Sequence, residues 1–151
     1  MTAELHPTPS PTTVVSGFLD ALARKDVEAG MSLVDEAIVY RNVSLPAVRG
    51  KAALRRLFAR WAGVSGTGFE VVVHRIAADG GTVLTERTDV LLLGPLRLQF
   101  WVCGTFEVVD GKITLWRDYF DYANMTGTLL RGLAGIVAPP LRARLPHRAP
   151  R

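Results

Sequence analysis

The sequence predicts an α+β domain in which a curved, mostly antiparallel sheet wraps over N-terminal helices and encloses a deep apolar pocket. Apolar residues recur at helical spacing in the first third of the chain, and extended segments follow one another after residue 68. Short turns, A-D-G-G, L-G-P and D-G-K, join these segments, so the strands should pair as hairpins. Helices that precede such a sheet pack on one of its faces. The expected shape is a cone with a closed apolar end and an open mouth.

The helices and the first strand are predicted within the first 62 residues. Ser10 followed by Pro11 is a favourable N-cap and first-turn pair, and Asp26 can cap a second, shorter helix. The segment A-I-V-Y-R-N, residues 37–42, predicts a strand, and a third helix is predicted from residue 51 to about 62. The apolar positions at helical spacing are Val14, Val15, Phe18, Leu19 and Leu22 in the first helix and Leu54, Leu57, Phe58 and Trp61 in the third.

Four further strands are predicted at 69–76, 82–93, 96–109 and 112–119. Gly104, inside the longest of them, indicates a bulge or a bend. An apolar segment with a Pro-Pro break follows residue 125. Four of its side chains could line the pocket or cover it: Leu129, Leu130, Leu133 and Ile136.

Composition and charge exclude several classes of protein. The chain has 151 residues, a hydrophobic share of 48% and a formal net charge of +4. The basic excess lies in the C-terminal tail, so we expect no nucleic-acid partner. Cys103 is the only cysteine and the histidines are scattered, so we expect no metal ion. No signal peptide and no apolar run of the roughly 18–20 residues that span a membrane is recognisable. We therefore expect a cytoplasmic protein whose tail makes at most weak contact with a membrane surface.

Five polar residues on predicted strands are the candidate catalytic residues. Arg87 and Asp89, in T-E-R-T-D-V-L, are two residues apart and share one face of their strand, as do Tyr40 and Asn42. Asp118 lies in the last strand. An exposed ion pair is the simplest alternative for Arg87 and Asp89, but apolar residues share their face. If the sheet curls over a cavity, the five side chains can converge there.

This set of residues indicates acid–base chemistry. An arginine between two carboxylates would hold them in place and offset part of their desolvation. Two carboxyl groups in one apolar pocket tend to differ in protonation, so that one can donate a proton while the other accepts one. With a water molecule beside the basic carboxylate, the arrangement suits the opening of a strained ring or the hydrolysis of an acetal without a covalent intermediate.

The same segments resemble the limonene-1,2-epoxide hydrolase family, within the cone-shaped nuclear transport factor 2-like and SnoaL-like proteins. The resemblance covers about Val14 to Tyr122 and is most specific in Y-R-N, T-E-R-T-D-V-L and G-K-I-T-L-W-R-D-Y-F-D. It implies an epoxide hydrolase that forms a vicinal diol in one step, is cofactor-independent and is a homodimer. The roles it implies are Asp118 as the base that activates water, Asp89 as the acid, Arg87 as the bridge, and Tyr40 and Asn42 as the residues that hold the water.

The domain bounds, the substrate class and the pocket residues are also predicted. Residues 1–11 are expected to be disordered, residues 12–124 to form the cone-fold catalytic domain, and residues 125–151 to be part of it or a lid. The expected substrate is a hydrophobic terpene-, lipid- or sterol-like epoxide. Asp121 is the alternative to Asp118 as the second carboxylate of the site. We expect it instead to cap the segment after the last strand. The predicted pocket residues are His74, Leu91, Trp101, Cys103, Trp116 and Phe120.

Two other functions compete with the hydrolase. One is an isomerase or cyclase resembling the ketosteroid isomerases and polyketide cyclases, in which one carboxylate would move a proton on a carbonyl substrate. The paired Arg87 argues against it, because that chemistry needs no bridge between carboxylates. The other is a cone domain that binds a lipid without catalysis, since fold alone does not define function.

Overall fold

The computed structural model describes residues 8–146, which form one six-stranded sheet with helices packed against it. The predicted α+β fold is confirmed, and the strands predicted at 82–93, 96–109 and 112–119 have those bounds. The helices are α1 (Pro11–Ala23), α2 (Val27–Ser32), α3 (Lys51–Gly63) and α4 (Tyr122–Val137), followed by a 3-10 turn (Pro139–Leu141). The strands are β1 (Val34–Asn42), β2 (Val48–Arg49), β3 (Thr67–Asp79), β4 (Thr82–Leu93), β5 (Leu96–Val109) and β6 (Lys112–Tyr119).

The strand order across the sheet is β2-β1-β6-β5-β4-β3. The neighbours are antiparallel, as predicted, except for β1 and β6, which are parallel. Their register sets Tyr40 beside Trp116 and Asn42 beside Asp118. The parallel pair therefore joins the polar residues of the first strand to those of the last.

The helices begin where side-chain caps satisfy their first backbone N–H groups. Ser10 Oγ accepts a hydrogen bond from the Thr13 amide at 3.2 Å, and Asp26 Oδ1 accepts one from the Ala29 amide at 3.0 Å. Both caps confirm the prediction. The apolar stripe of α1 packs against the sheet at the closed end of the cone, where the core lies. The core residues are Val14, Val15, Phe18, Leu19, Leu22, Met31, Val34, Ile38, Leu54, Val83, Phe106, Val108, Ile113 and Trp116.

Helix α4 is the element for which the sequence predicted only an apolar segment. Asp121 caps it by accepting hydrogen bonds from the Ala123 and Asn124 amides, as its expected role required. The helix packs against β5, and Gly132 and Gly135 are its buried residues. Its large apolar side chains beyond the first turn are exposed and line no pocket, which corrects the expectation for four of them: Leu129, Leu130, Leu133 and Ile136.

Gly104 does not mark a bulge, so that part of the prediction was wrong. Position 104 pairs in continuous register with Thr85 on one side and Asp118 on the other. The irregularity in the pairing of β5 with β6 lies further on, between Glu107 and Val108. The missing side chain at position 104 has a different use, described below.

The N-terminal segment is described only in part. Residues 1–7 of the segment predicted to be disordered lie outside the described residues, and α1 begins at Pro11. Within residues 8–146, no helix is long and apolar enough to cross a membrane.

Candidate active site

A cavity of about 340 Å³ lies between the inner face of the sheet and the helices. Its walls are almost entirely apolar, with side chains from α1, α3, the sheet and the start of α4. The polar lining residues are Tyr40, Asn42, Asp89 and Asp118. The apolar lining residues are Leu22, Leu57, Phe58, Trp61, Phe69, Leu91, Phe100, Val102, Trp116, Phe120 and Met125.

Arg87 lies behind the two carboxylates and binds both. Its side chain is 0% exposed. Nε donates to Asp89 Oδ1 at 2.9 Å and to Oδ2 at 3.1 Å, and Nη2 donates to Asp118 Oδ2 at 2.5 Å. Nη1 donates to Thr85 Oγ1 at 3.1 Å. Asp89 and Asp118 are themselves buried, so Arg87 is a buried bridge between them and not an exposed ion pair.

The second oxygen of Asp118 is held by an indole. Trp116 Nε1 donates to Asp118 Oδ1 at 2.8 Å. The Trp116 ring is itself fixed by an edge contact with Phe18 of α1 and by stacking on Phe106 of β5. The orientation of the Asp118 carboxylate therefore depends on donors from two strands and on the packing of the core.

Tyr40 and Asn42 stand beside Asp118 on the neighbouring strand. Asn42 Nδ2 donates to the Tyr40 hydroxyl oxygen at 2.9 Å. The Tyr40 hydroxyl can then donate its own hydrogen, and the Asn42 amide oxygen can accept one, towards a molecule in the cavity. Asp118, Asn42 and Tyr40 thus form a group that suits the binding of one water molecule.

The electrostatics of the site follow from burial. Burial raises the pKa of Asp89 to about 6, although Arg87 opposes this shift. Burial and then the charge of Asp118 raise the pKa of Tyr40 well above its ordinary value, so the phenol stays a neutral donor. Burial disfavours the charged guanidinium, but Asp118 and Asp89 outweigh it and raise the pKa of Arg87. Asp89 is therefore a carboxyl group that can carry a proton close to neutral pH, as a general acid requires.

The structure brings together all five predicted catalytic residues, but only half of the predicted pocket residues. Leu91, Trp116 and Phe120 line the cavity. Trp101, Cys103 and His74 do not, and those predictions were wrong. Trp101 and Cys103 alternate with the inward-facing Phe100 and Val102, so they lie on the outer face of the sheet.

A bulge explains the error for His74. The register of β3 against β4 shifts between Val73 and Arg75, which reverses the alternation of inward and outward side chains. Val73 and Ile76 consequently both pack against the core, while His74 points outward and its Nε2 bonds with Thr88 Oγ1 at 2.9 Å.

Two contributions to the site were missed by sequence reasoning. The pocket-facing role of Leu57, Phe58 and Trp61 was hidden because an apolar stripe on a helix is typical of plain core packing. Thr85 could have been found, since it shares the face of Arg87 two residues away.

Within residues 8–146 there is no group of three or more His, Cys, Asp or Glu side chains placed to hold a metal ion.

The fold of the chain is the nuclear transport factor 2-like fold. A solved structure of an NTF2-like protein of unknown function from Cytophaga hutchinsonii superposes with a TM-score of 0.65 at 18% identity. The match covers 79% of this chain and 96% of that one. At this identity the likeness shows the fold alone.

The chain belongs to the limonene-1,2-epoxide hydrolase family, whose catalytic-domain model matches residues 9–131. It is 52% identical to epoxide hydrolase EphG of Mycobacterium tuberculosis over 131 residues, 87% of each protein. The structure of an M. tuberculosis LEH-like epoxide hydrolase superposes with a TM-score of 0.86 at 50% identity, covering 89% of this chain and 95% of that one. The protein is thus an epoxide hydrolase, which sets aside the isomerase, cyclase and binding-module alternatives.

Proposed function

We propose that the protein adds water to a hydrophobic epoxide in one step and releases a vicinal diol. The observation that carries the proposal is the buried chain Asp89–Arg87–Asp118, whose two carboxylates face an otherwise apolar cavity. Desolvation makes such a pair useful, because it separates the proton affinities of groups that would be alike in water.

The reaction follows from the positions of these groups. Asp118, Tyr40 and Asn42 hold a water molecule, and Asp118 takes its proton as the water oxygen attacks a ring carbon. The carbon–oxygen bond of the ring breaks, and the protonated Asp89 delivers its proton to the leaving oxygen. The product carries one hydroxyl from water and one from the epoxide. A proton then returns from Asp118 to Asp89 and restores the starting state.

The cavity supports a hydrophobic substrate of terpene, lipid or sterol type. At about 340 Å³ it falls in the lower part of the range typical of small-molecule sites, about 300–1,000 Å³. Its walls are aromatic, with Phe58 from α3 and Phe100 from β5. A substrate meets polar groups only at the end of the cavity that holds the carboxylates, Tyr40 and Asn42. Binding therefore depends on apolar burial, and orientation on the epoxide oxygen.

The proposal is tested by single-turnover hydrolysis of a panel of apolar epoxides in oxygen-18 water: a cyclic terpene epoxide, a styrene-type epoxide and a sterol epoxide. We expect label in the first-turnover diol and none in the protein. First-turnover diol without label would indicate a covalent ester and refute the one-step mechanism. Absence of diol from every epoxide would refute the substrate class.

Two variants make this experiment specific. Asp118→Asn should abolish turnover, because an amide cannot take the proton of water. Asp121→Asn, three residues further on, is the matched control, because asparagine is an equally good N-cap and α4 should form as before. Loss of activity in Asp121→Asn alone would transfer the role of base to Asp121.

We also propose that the enzyme is a homodimer in the cytoplasm and that residues 12–146 act as one domain. The dimer rests on the family resemblance, and the cytoplasmic location rests on the single cysteine, which suits a reducing compartment. The single domain rests on the packing of α4 against β5 and on Met125, which lines the cavity. Light scattering in solution tests the dimer, and a monomer at every concentration would refute it.

A further inference from the structure

Arg87 and Asp118 are not on neighbouring strands, so the bridge between them has to cross a third. Arg87 lies on β4 and Asp118 on β6, with β5 between them. Gly104 is the β5 residue at the crossing point, since it pairs with Thr85 on β4 and with Asp118 on β6. The guanidinium therefore passes over the one position of β5 that has no side chain on the inner face.

A side chain at position 104 would occupy the place of the bridge. A Cβ added there would lie 2.8 Å from Thr85 Oγ1 and 2.9 Å from Asp118 Oδ1, and closer still to Arg87 Nη1. The backbone does not require glycine at this position, because Gly104 is not among the residues with positive φ. Glycine weakens a strand interior, so its presence here is explained by the space that it leaves.

Thr85 is the third anchor of the guanidinium. Its side chain is buried, and Oγ1 accepts the Arg87 Nη1–H at 3.1 Å while the hydroxyl points to the Gly104 carbonyl at 3.4 Å. Nε is held by Asp89 and Nη2 by Asp118. Each of the three guanidinium nitrogens therefore has a different partner. Together these partners fix the plane and the rotation of the group.

We propose that Gly104 and Thr85 are positioning residues, which hold Arg87 in the plane that sets the relative geometry of the two catalytic carboxylates. Gly104 provides the gap and Thr85 the third hydrogen bond. This inference rests on the proposed function, since the carboxylates are the acid and the base of that reaction. Neither residue touches the substrate, because both lie behind the groups that line the cavity.

The test compares Gly104→Ala with Gly68→Ala. In the first variant we expect kcat to fall by about 100-fold with KM little changed, since a displacement of about 1 Å in a catalytic group has that effect. Gly68 is the matched control in the same sheet, because the three atoms nearest to an added Cβ there all belong to the Leu92 side chain, the closest being its terminal Cδ1. Its kcat should stay close to that of the native enzyme.

A second pair of variants keeps the proposal testable if Gly104→Ala does not fold. Thr85→Val removes the acceptor and should lower kcat by about tenfold, whereas Thr85→Ser keeps the hydroxyl and should restore it. A purely structural role for the methyl group predicts the opposite order. Nitrogen-15 spectra of the Arg87 guanidinium, which need no substrate, should show a shifted Nε signal in Gly104→Ala but not in Gly68→Ala.

The outcomes separate this inference from the proposed function. A native enzyme that hydrolyses no epoxide refutes the function, whatever the spectra show. An active native enzyme with Gly104→Ala within about threefold in kcat and an unmoved Arg87 signal refutes the positioning role. Equal activity of Thr85→Val and Thr85→Ser refutes the role of Thr85 as a positioning residue.

Helix α4 supports a second, independent inference, because it packs through its small residues and exposes its large ones. Gly132 and Gly135 face the protein, and Gly132 is so close to the Arg97 carbonyl that a Cβ would lie 2.9 Å from it. The opposite side, the α4 apolar face, is formed by Leu129, Leu130, Leu133, Ile136 and Val137. Leu130 is 64% and Val137 88% exposed, which is the reverse of an ordinary surface helix.

The chain segment that carries this face has charge of one sign. From residue 122 to the end the sequence contains arginines but no Asp or Glu. Arg131, Arg142 and Arg144 are exposed in the described part of this segment, and the first two also donate to the carbonyls of Leu141 and Gly135. A second copy of this segment would bring like charges together, whereas an anionic lipid surface offers both apolar depth and negative charge.

We propose that the α4 apolar face docks on an anionic phospholipid bilayer. The test is co-sedimentation with vesicles of phosphatidylcholine alone and with added phosphatidylglycerol, at low and high salt. We expect binding only to the anionic vesicles, weakened by salt and lost in the double variant Leu130→Asp, Val137→Asp. The matched control is Leu84→Asp, Val109→Asp, whose positions are similarly exposed, 55% and 56%, on the sheet.

Three results would overturn this second proposal. The first is the absence of binding to both kinds of vesicle. The second is a smaller particle mass for the double variant than for the native protein and the control in light scattering, which would assign the face to a second copy of this chain. The third is equal vesicle binding by the double variant and the control, which would remove α4 from the contact.

Discussion

Arg87 is a buried charge whose desolvation is offset by two carboxylates. A buried ion of this kind costs several kcal/mol unless each of its nitrogens is hydrogen-bonded in good geometry. The guanidinium meets this condition because its planar fork reaches Asp89, Thr85 and Asp118 at once. An ammonium group has no such fork.

Replacement of Arg87 by lysine should therefore lower kcat by about 100-fold or more, since one carboxylate is left without its partner. The matched control is Arg75→Lys, because Arg75 pairs with Glu86 at the exposed outer face and that pair is worth little. Steady-state kinetics on the best substrate of the panel measure both. Similar rates for the two variants would remove the bridging role.

Asp89 should show its role as an acid in the pH dependence of catalysis. Its pKa is raised to about 6 by burial, and the protonated form is the one that donates. We therefore expect kcat/KM to fall as the pH rises through about 6, because that parameter reports the ionisation of the free enzyme. Asp89→Asn should be inactive at every pH. A rate that rises through the same range would assign Asp89 to the role of base.

At the scale of elements, the site depends on how the strands and α4 are joined. The parallel pairing of β1 with β6 places Asn42 beside Asp118. The chain then turns directly into α4 at Asp121, and the first turn of that helix carries Met125 into the cavity wall. The N-cap of α4 is thus a structural link between the catalytic strand and the substrate pocket.

Asp121→Ala should destabilise the protein by about 1 kcal/mol, as loss of an N-cap typically does. It should raise KM more than it lowers kcat, because Met125 helps to form the apolar wall but none of the reacting groups. Thermal unfolding and kinetics measure the two effects, with Asp121→Asn as the control that keeps the cap. A large loss of kcat with an unchanged KM would contradict this assignment.

At the scale of the whole molecule, the buried acid links stability to pH. The ordinary carboxyl pKa is 3.8 and that of Asp89 in the fold is about 6, so the folded state binds the proton more tightly than the unfolded state. The stability from this group is complete below about pH 3.8 and is lost as the pH rises through about 6. The difference corresponds to about 3 kcal/mol.

Asp89→Asn should remove this dependence, because an amide stays neutral. Relative to the native protein, its free energy of unfolding should rise by about 3 kcal/mol between pH 3 and pH 7. Urea titrations of both proteins at several pH values measure the difference. A difference that stays constant over this range would show that Asp89 does not hold a raised pKa. A pH-dependent difference would show that the acid at the active site lowers the stability of the native enzyme near neutral pH. Such a loss of stability is common at functional sites.

The sequence by itself determined the fold class, most element bounds and the five polar residues of the candidate site. These depend on local patterns: apolar spacing, turn residues, caps and the alternation of side chains along a strand. Alternation alone put Arg87 and Asp89 on one face and left Trp116 and Asp118 together. Here local pattern and tertiary structure agree, because each of these strand segments is regular.

The tertiary structure alone decided what depends on contacts between distant segments. A bulge in β3 turned His74 outward, and the parallel pairing of β1 and β6 could not be read from hairpin-linked strands. The function of Gly104 appears only when β4 and β6 are seen on either side of it. Such features are set by register and by space between strands, which a one-dimensional pattern of residues does not contain.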